Sequence, residues 1–176
     1  MTRLPTARLI RLRDELARRG QRRSMVFPSA APNVIEAIGI TEEYGALCEV
    51  MFLVMVVGGR MLNVQRSLLR GALDVISNGR VRTSHMEAML DASSKRLAED
   101  GFEKHCERVI DALRDDPVRA ETTLVLATAV AAADGVVTAA EQKLIDRFVK
   151  ELGVDPEHLG NVLDELTSAP DSSASQ

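Results

Sequence analysis

Aromatic side chains are nearly missing from this chain: its 176 residues include no Trp, one Tyr and four Phe. A sheet core usually draws on aromatic and β-branched residues, so a core of Ala, Val, Leu and Met favours close-packed helices. The same scarcity argues against base-stacking recognition of single-stranded nucleic acid. Cysteine is limited to Cys48 and Cys106. Two thiols within apolar helical patterns are too few for a disulfide scaffold and suit a reducing compartment, so a cytoplasmic protein is expected. The longest apolar run, Val50–Val57, follows Glu49 and falls far short of the ~20 residues a bilayer requires. The N-terminus lacks the apolar stretch of a secretory signal, and the acidic pair Asp14 and Glu15 sets it apart from a transit peptide.

Recognisable catalytic chemistry is also lacking. No G-x-S-x-G, H-E-x-x-H or pair of catalytic carboxylates occurs, and Gly58–Gly59 lacks the lysine and the preceding strand of a phosphate loop. His85, His105 and His158 show no zinc spacing with the cysteines. His105 and Cys106 are neighbours, which on a helix point ~100° apart and cannot form a nucleophile pair. His85 and His158 fall in opening helical turns and are expected to be exposed. The expectation is a protein that is not an enzyme and has no cofactor.

What is present is repetition. The stretch Ala127–Gly153 recurs, from its second residue onward, 76 residues earlier, over Phe52–Ser77. An apolar helix runs into a glycine turn, Gly135 in one copy and Gly59 in the other, and an amphipathic helix follows. Leu144, Ile145, Phe148, Val149 and Leu152 fall on Leu68, Leu69, Ala72, Leu73 and Ile76. The copies differ at two positions: Asp134 and Glu141 of the second are Gly58 and Gln65 in the first.

Helices are expected at about 42–57, 64–77, 85–99, 102–115, 118–133, 139–152 and 157–167. Thr41 reads as an N-cap that opens the compact domain, after a short helical turn that stops at Gly39. Asp116–Pro117 and Asp155–Pro156 place a capping side chain before a proline whose missing N–H costs nothing at the first helical position. Ser84 with Glu87, and Thr138 with Glu141, fit the capping box. The fold expected is all-α, an internally duplicated, pseudo-twofold bundle of about seven helices plus a basic N-terminal helix. Its two most apolar helices, near 47–57 and 123–133, should pack centrally. Residues 1–40 are read as the basic helix and a linker containing Pro28 and Pro32, residues 41–167 as the duplicated domain, and residues 168–176 as a disordered tail.

Charge is segregated. Residues 1–25 carry eight Arg against Asp14 and Glu15, a net of +6, within a chain whose net charge is −4. Between Arg60 and Arg82 five Arg face only Asp74, whereas Asp134 to Glu165 carries a net of −5. Opposite faces of this kind could drive head-to-tail self-association or dock separate partners, or could be ordinary solvated surfaces. The N-terminal helix spaces Leu9, Leu12 and Leu16 along one stripe beside Arg8, Arg11, Arg18, Arg19, Arg22 and Arg23. It could lie on an anionic membrane surface, contact nucleic-acid phosphates, or dock onto an acidic protein, including this protein's own acidic C-terminal half. Docking to protein is the favoured reading, with Arg11, Arg18, Arg19, Arg22 and Arg23, joined by Arg66 and Arg70, as partner-binding residues. The membrane reading would place the protein at the periphery of the inner membrane.

The pattern V-A-x-A-D-G-x-V-x-x-x-E-x-x-x-I, running from Val130 through Asp134, Gly135 and Glu141 to Ile145, resembles the TerB-like family. That family includes the tellurite-resistance protein TerB and the N-terminal domain of the DjlA-type co-chaperones. The resemblance covers roughly residues 41–167. It implies an all-helical, duplicated fold and a non-enzymatic adaptor or scaffold role in stress-response or membrane-associated assemblies. It also implies an acidic site for a divalent cation, to which this chain contributes Asp134 and Glu141 and lacks the matching acids at Gly58 and Gln65. The residues themselves support a second reading, in which Glu141 caps the Thr138 backbone and Asp134–Gly135 shapes a turn. A divalent cation is bound weakly, if at all, because calcium generally takes six to eight oxygen ligands.

Overall fold

The computed structural model describes residues 14, 16, 18, 34–59 and 63–161. The described residues form helices and turns: α1 (Val34–Val57), α2 (Asn63–Ile76), α3 (Thr83–Asp100), α4 (Phe102–Leu113), α5 (Pro117–Ala131), α6 (Ala139–Glu151), and a further helical run over 156–161. The fold is all-α, as expected. The segment 168–176 lies outside the described residues.

Two helices make the centre. From Leu47 to Met55 every residue of α1 except Glu49 is buried, and α5 is buried continuously from Thr123 through Ala131. A helix apolar on all sides must be covered on all sides, and α1 is touched by each of the other five helices, α5 by four of them. Around this pair the amphipathic helices turn one face inward, with Leu68, Leu69 and Leu73 from α2 and Leu144, Ile145 and Phe148 from α6. Leu152, just past the end of α6, is half-buried at the edge of the core.

Local signals near the second half are realised as written. Asp116 Oδ1 accepts the Arg119 N–H at 3.0 Å, with Pro117 as the first residue of α5. Thr138 Oγ1 accepts from the Glu141 N–H at 3.2 Å, and Glu141 Oε2 accepts from the Thr138 N–H at 2.8 Å, which closes the capping box. Two features recur at the 76-residue spacing. Gly59 and Gly135 both take a positive φ, 96° and 89°, a conformation that costs glycine little. Gln65 and Glu141 are both the third residue of their helix and both buried.

Two expected helix starts are corrected. Thr41 does not open α1. The helix runs unbroken through Gly39, and Thr41 Oγ1 donates back to the Ala37 carbonyl at 2.9 Å. Ile40 and Tyr44 are buried, and that burial outweighs the ~1 kcal/mol that glycine costs a helix interior. In α3 the start falls at Thr83, one residue before the predicted Ser84 cap. There the Arg82 N–H donates to His85 Nδ1 at 3.2 Å, and Glu87 is drawn instead into an ion pair with Arg66 on α2. His85 is therefore buried, against the expectation of exposure, whereas His158 is exposed and reaches Glu121 at 3.2 Å.

Candidate interaction surface

Among the described residues, Leu16 meets the domain at a glycine of α2. Leu16 is helical and 2% exposed. Its backbone lies so close to Gly71 that a Cβ built on that glycine would overlap the Leu16 carbonyl. Only a residue without a side chain lets two helices approach this closely, which gives the mid-helix glycine of α2 a reason. The contact places Leu16 against α2, in the first half of the chain. Arg18, two residues beyond Leu16, is exposed, and α2 itself carries Arg66 and Arg70, both half-buried. The structure thus brings Arg18, Arg66 and Arg70 onto adjoining elements. Arg11, Arg19, Arg22 and Arg23 lie outside the described residues.

The acidic pair proposed for a cation is occupied locally. Asp134 is exposed, and its Oδ1 accepts the Val136 N–H at 3.1 Å. Glu141 is 3% exposed, with Oε2 accepting from both the N–H and the hydroxyl of Thr138 at 2.8 Å. Among the described residues no group of three or more His, Cys, Asp or Glu side chains is arranged to hold a metal ion. Glu141 has a further neighbour: a Cβ at Gly58 would stand 2.6 Å from its Oε1. Gly58 thus leaves the space that the Glu141 carboxylate fills.

Sequence reasoning missed a buried hub. Glu49 interrupts the apolar side of α1 and gathers three partners from α3 and α4. Arg96 forms a charge-assisted hydrogen bond to Oε1, His105 Nε2 lies 3.0 Å from Oε2, and Arg108 approaches to 3.6 Å. The His105 ring also packs near Phe52, with centroids 6.2 Å apart. The one available signal was a lone acid beside the longest apolar run. Its partners lie 47 to 59 residues away, on helices whose facing register local pattern does not reveal.

The thiols flanking this hub are inert. Burial pushes Cys48 up to about 12 and Cys106 up to about 11, so both stay protonated at neutral pH and neither is a thiolate nucleophile. Elsewhere an open cleft of about 250 Å³ lies between α1, α2 and α5, with Tyr44, Leu47, Ile76 and Val118 on its walls. At its rim the Tyr44 hydroxyl donates to Glu43 Oε1 at 2.6 Å. That hydrogen bond, aided by Arg80 at 3.1 Å, holds the Glu43 carboxyl below its ordinary range. The paired arginines Arg66, Arg80 and Arg147 spend part of the segregated charge on intramolecular bridges.

A family model described as tellurite resistance protein TerB matches residues 46–164. The chain belongs to the TerB family. The match spans α2 through α6, the Gly58 and Asp134 turns and Glu141, whereas Leu16 and the Arg-rich segment precede it. No curated protein and no solved structure matches the chain. No helix among the described residues is long and apolar enough to cross a membrane.

Proposed function

We propose that this TerB-family chain is a non-enzymatic protein-interaction module, an adaptor or scaffold serving a cytoplasmic stress response; its family description names tellurite resistance. The observation that supports the reading is the seating of Leu16 on Gly71. Through it Leu16, beside the exposed Arg18, is part of the packed domain. A module whose work is docking needs charged groups held in fixed positions, because fixed groups lose less entropy on binding than mobile ones.

The test is photo-cross-linking in the producing cell from positions beside Arg18 and Arg70, followed by identification of the attached proteins. The reading expects a defined protein partner at these positions, lost when Arg18, Arg19, Arg22 and Arg23 are changed to Ser. Cross-links confined to nonspecific abundant proteins, unchanged in that variant, would defeat it.

A further inference from the structure

The open cleft of about 250 Å³ between α1, α2 and α5 has apolar walls that the fold leaves uncovered. Tyr44 and Leu47 of α1 form its buried side, Ile76 closes the end of α2, and Val118, in the first turn of α5, remains 76% exposed. Acids stand along the same opening: Glu43 and Asp116 line it, and the exposed Glu42 and Asp115 are their chain neighbours. We propose that this cleft docks a basic amphipathic helix of a partner protein, with leucine-sized side chains seated against Tyr44 and Val118 and lysine or arginine facing Glu43 and Asp116. The proposal goes beyond the interaction-module reading, because it stands on a surface that includes neither Leu16 nor the arginines used there.

Size, rigidity and charge choose this occupant. A small-molecule site usually encloses about 300–1,000 Å³, whereas this cleft is smaller and open, with room for a few side-chain atoms of a partner. A second copy of the chain would need about 800 Å² of surface on each partner for a stable contact, far more than the cleft offers. A helix laid along a groove needs only a few anchors at i, i+3 or i+4. The walls are fixed in advance, because the Arg119 guanidinium donates to the backbone carbonyls of Glu42, at 3.1 Å, and Glu43, which ties the start of α5 to α1. Fixed walls lower the entropy lost on docking. The four acids stand against two cations, Arg119, turned to the α1 backbone, and Arg80, bridged to Glu43 at 3.1 Å. Asp116 accepts the Arg119 N–H at 3.0 Å and has no ion-pair partner among the described residues. An acidic rim attracts a basic segment and repels a nucleic acid or an anionic bilayer.

Fluorescence anisotropy on the full chain tests this with three labelled peptides: one with leucines along one helical face among lysines, one of the same composition scrambled, and one with glutamate in place of each lysine. The first should bind at least about fivefold more tightly than either control. Val118→Ser removes the exposed apolar wall without touching the core and should weaken that binding about fivefold. Asp116→Asn keeps a capping side chain but removes the charge, and should weaken it about two- to fivefold. Equal binding of the scrambled or the glutamate peptide would overturn the chemistry of the occupant, and affinity unchanged in Val118→Ser would overturn the cleft. Light scattering on the chain alone should give the same mass for the wild type and Val118→Ser; self-association abolished by that substitution would make a second copy the occupant and overturn the partner helix. The cross-linking experiment reads positions beside Arg18 and Arg70, so the module reading stands or falls independently of these results.

Discussion

Removing the Glu49 carboxylate should unsettle the junction of α1, α3 and α4 more than any other single change to a polar side chain. The Glu49 side chain is 12% exposed, His105 fully buried, Arg96 28% exposed and Arg108 46% exposed. Glu49→Ala would leave the cation of Arg96 and the ring of His105 without their acceptor. Arg96 Nε and His105 Nδ1 already have no hydrogen-bond partner, so neither side chain has a second protein contact to fall back on at those atoms. Breaking a buried pair from one side costs about 3–5 kcal/mol. The exposed Arg108 adds at most about 1 kcal/mol, and the partial exposure of Arg96 lets water take over some of the loss. The low end, about 3 kcal/mol, is the expected figure for Ala. Glu49→Gln keeps the shape and one acceptor oxygen, and should cost about 1.5–2 kcal/mol, the value of charge-assisted hydrogen bonds.

Urea unfolding followed by helical circular dichroism measures both variants, with a constant slope showing that only stability has changed. For a chain of this size each kcal/mol shifts the midpoint by about 2–4 °C, so Glu49→Ala should melt about 6–12 °C lower. A double-mutant cycle with Arg96→Ala should return a coupling of about 1–3 kcal/mol. Loss of less than about 0.5 kcal/mol in Glu49→Ala, or strict additivity with Arg96→Ala, would refute the reading of a buried, mutually dependent hub.

Gly58→Ala should destabilise by about 1–3 kcal/mol, because the new methyl would stand 2.6 Å from Glu141 Oε1, which the capping box holds in place. On a Glu141→Ala background the same change should be neutral or mildly stabilising, and stabilisation in the wild type would show that the two turns do not meet. Phe148→Ala, at a side chain with no exposure, should cost about 3–5 kcal/mol by urea titration; an unchanged midpoint would overturn the orientation of α6. Burial raises the thiols of Cys48 and Cys106 from their ordinary 9.0 to about 12 and about 11. A raised folded value gives stability that is complete below pH 9 and lost as the pH climbs through the folded values. Both thiols should accordingly resist iodoacetamide at neutral pH, and the urea midpoint should decline in alkali less steeply in Cys48→Ala than in the wild type. Titration calorimetry with calcium, magnesium or zinc should give no binding heat, and Asp134→Ala should lose only the Val136 hydrogen bond, about 0.5–1.5 kcal/mol; a saturable site abolished by that substitution would reinstate the cation.

Much of the fold was legible because its signals are local. Asp116 before Pro117, and Thr138 three residues before Glu141, act within one helical turn, and a short window of sequence contains both partners. The central pair was legible for a different reason: a helix with apolar residues on every side has no alternative to being surrounded. Local reasoning failed where a distant contact decided a local choice. Thr41 has the chemistry of a cap, but buried neighbours on both sides of it make a continuous helix worth more than a start. Glu87 has the chemistry of a capping-box partner, but Arg66 from α2 claims it, and His85 takes over at the helix start.

The candidate surface was half legible, and the missing half changes its meaning. Composition finds the arginines, since a net of +6 over 25 residues needs no structure to see. It does not find what they are attached to. Gly71 sits inside an amphipathic helix, where glycine usually only weakens, and nothing in its neighbourhood names Leu16, fifty-five residues earlier, as the reason. Once that contact is known, Leu16 is accounted for as part of the packed domain, and the glycine of α2 as the space that the Leu16 backbone needs. The sequence pattern already favoured docking to protein over a membrane or a nucleic acid. Composition can weigh such partners against one another, but only the burial of Leu16 shows that a residue of the basic stretch has a seat within the chain itself.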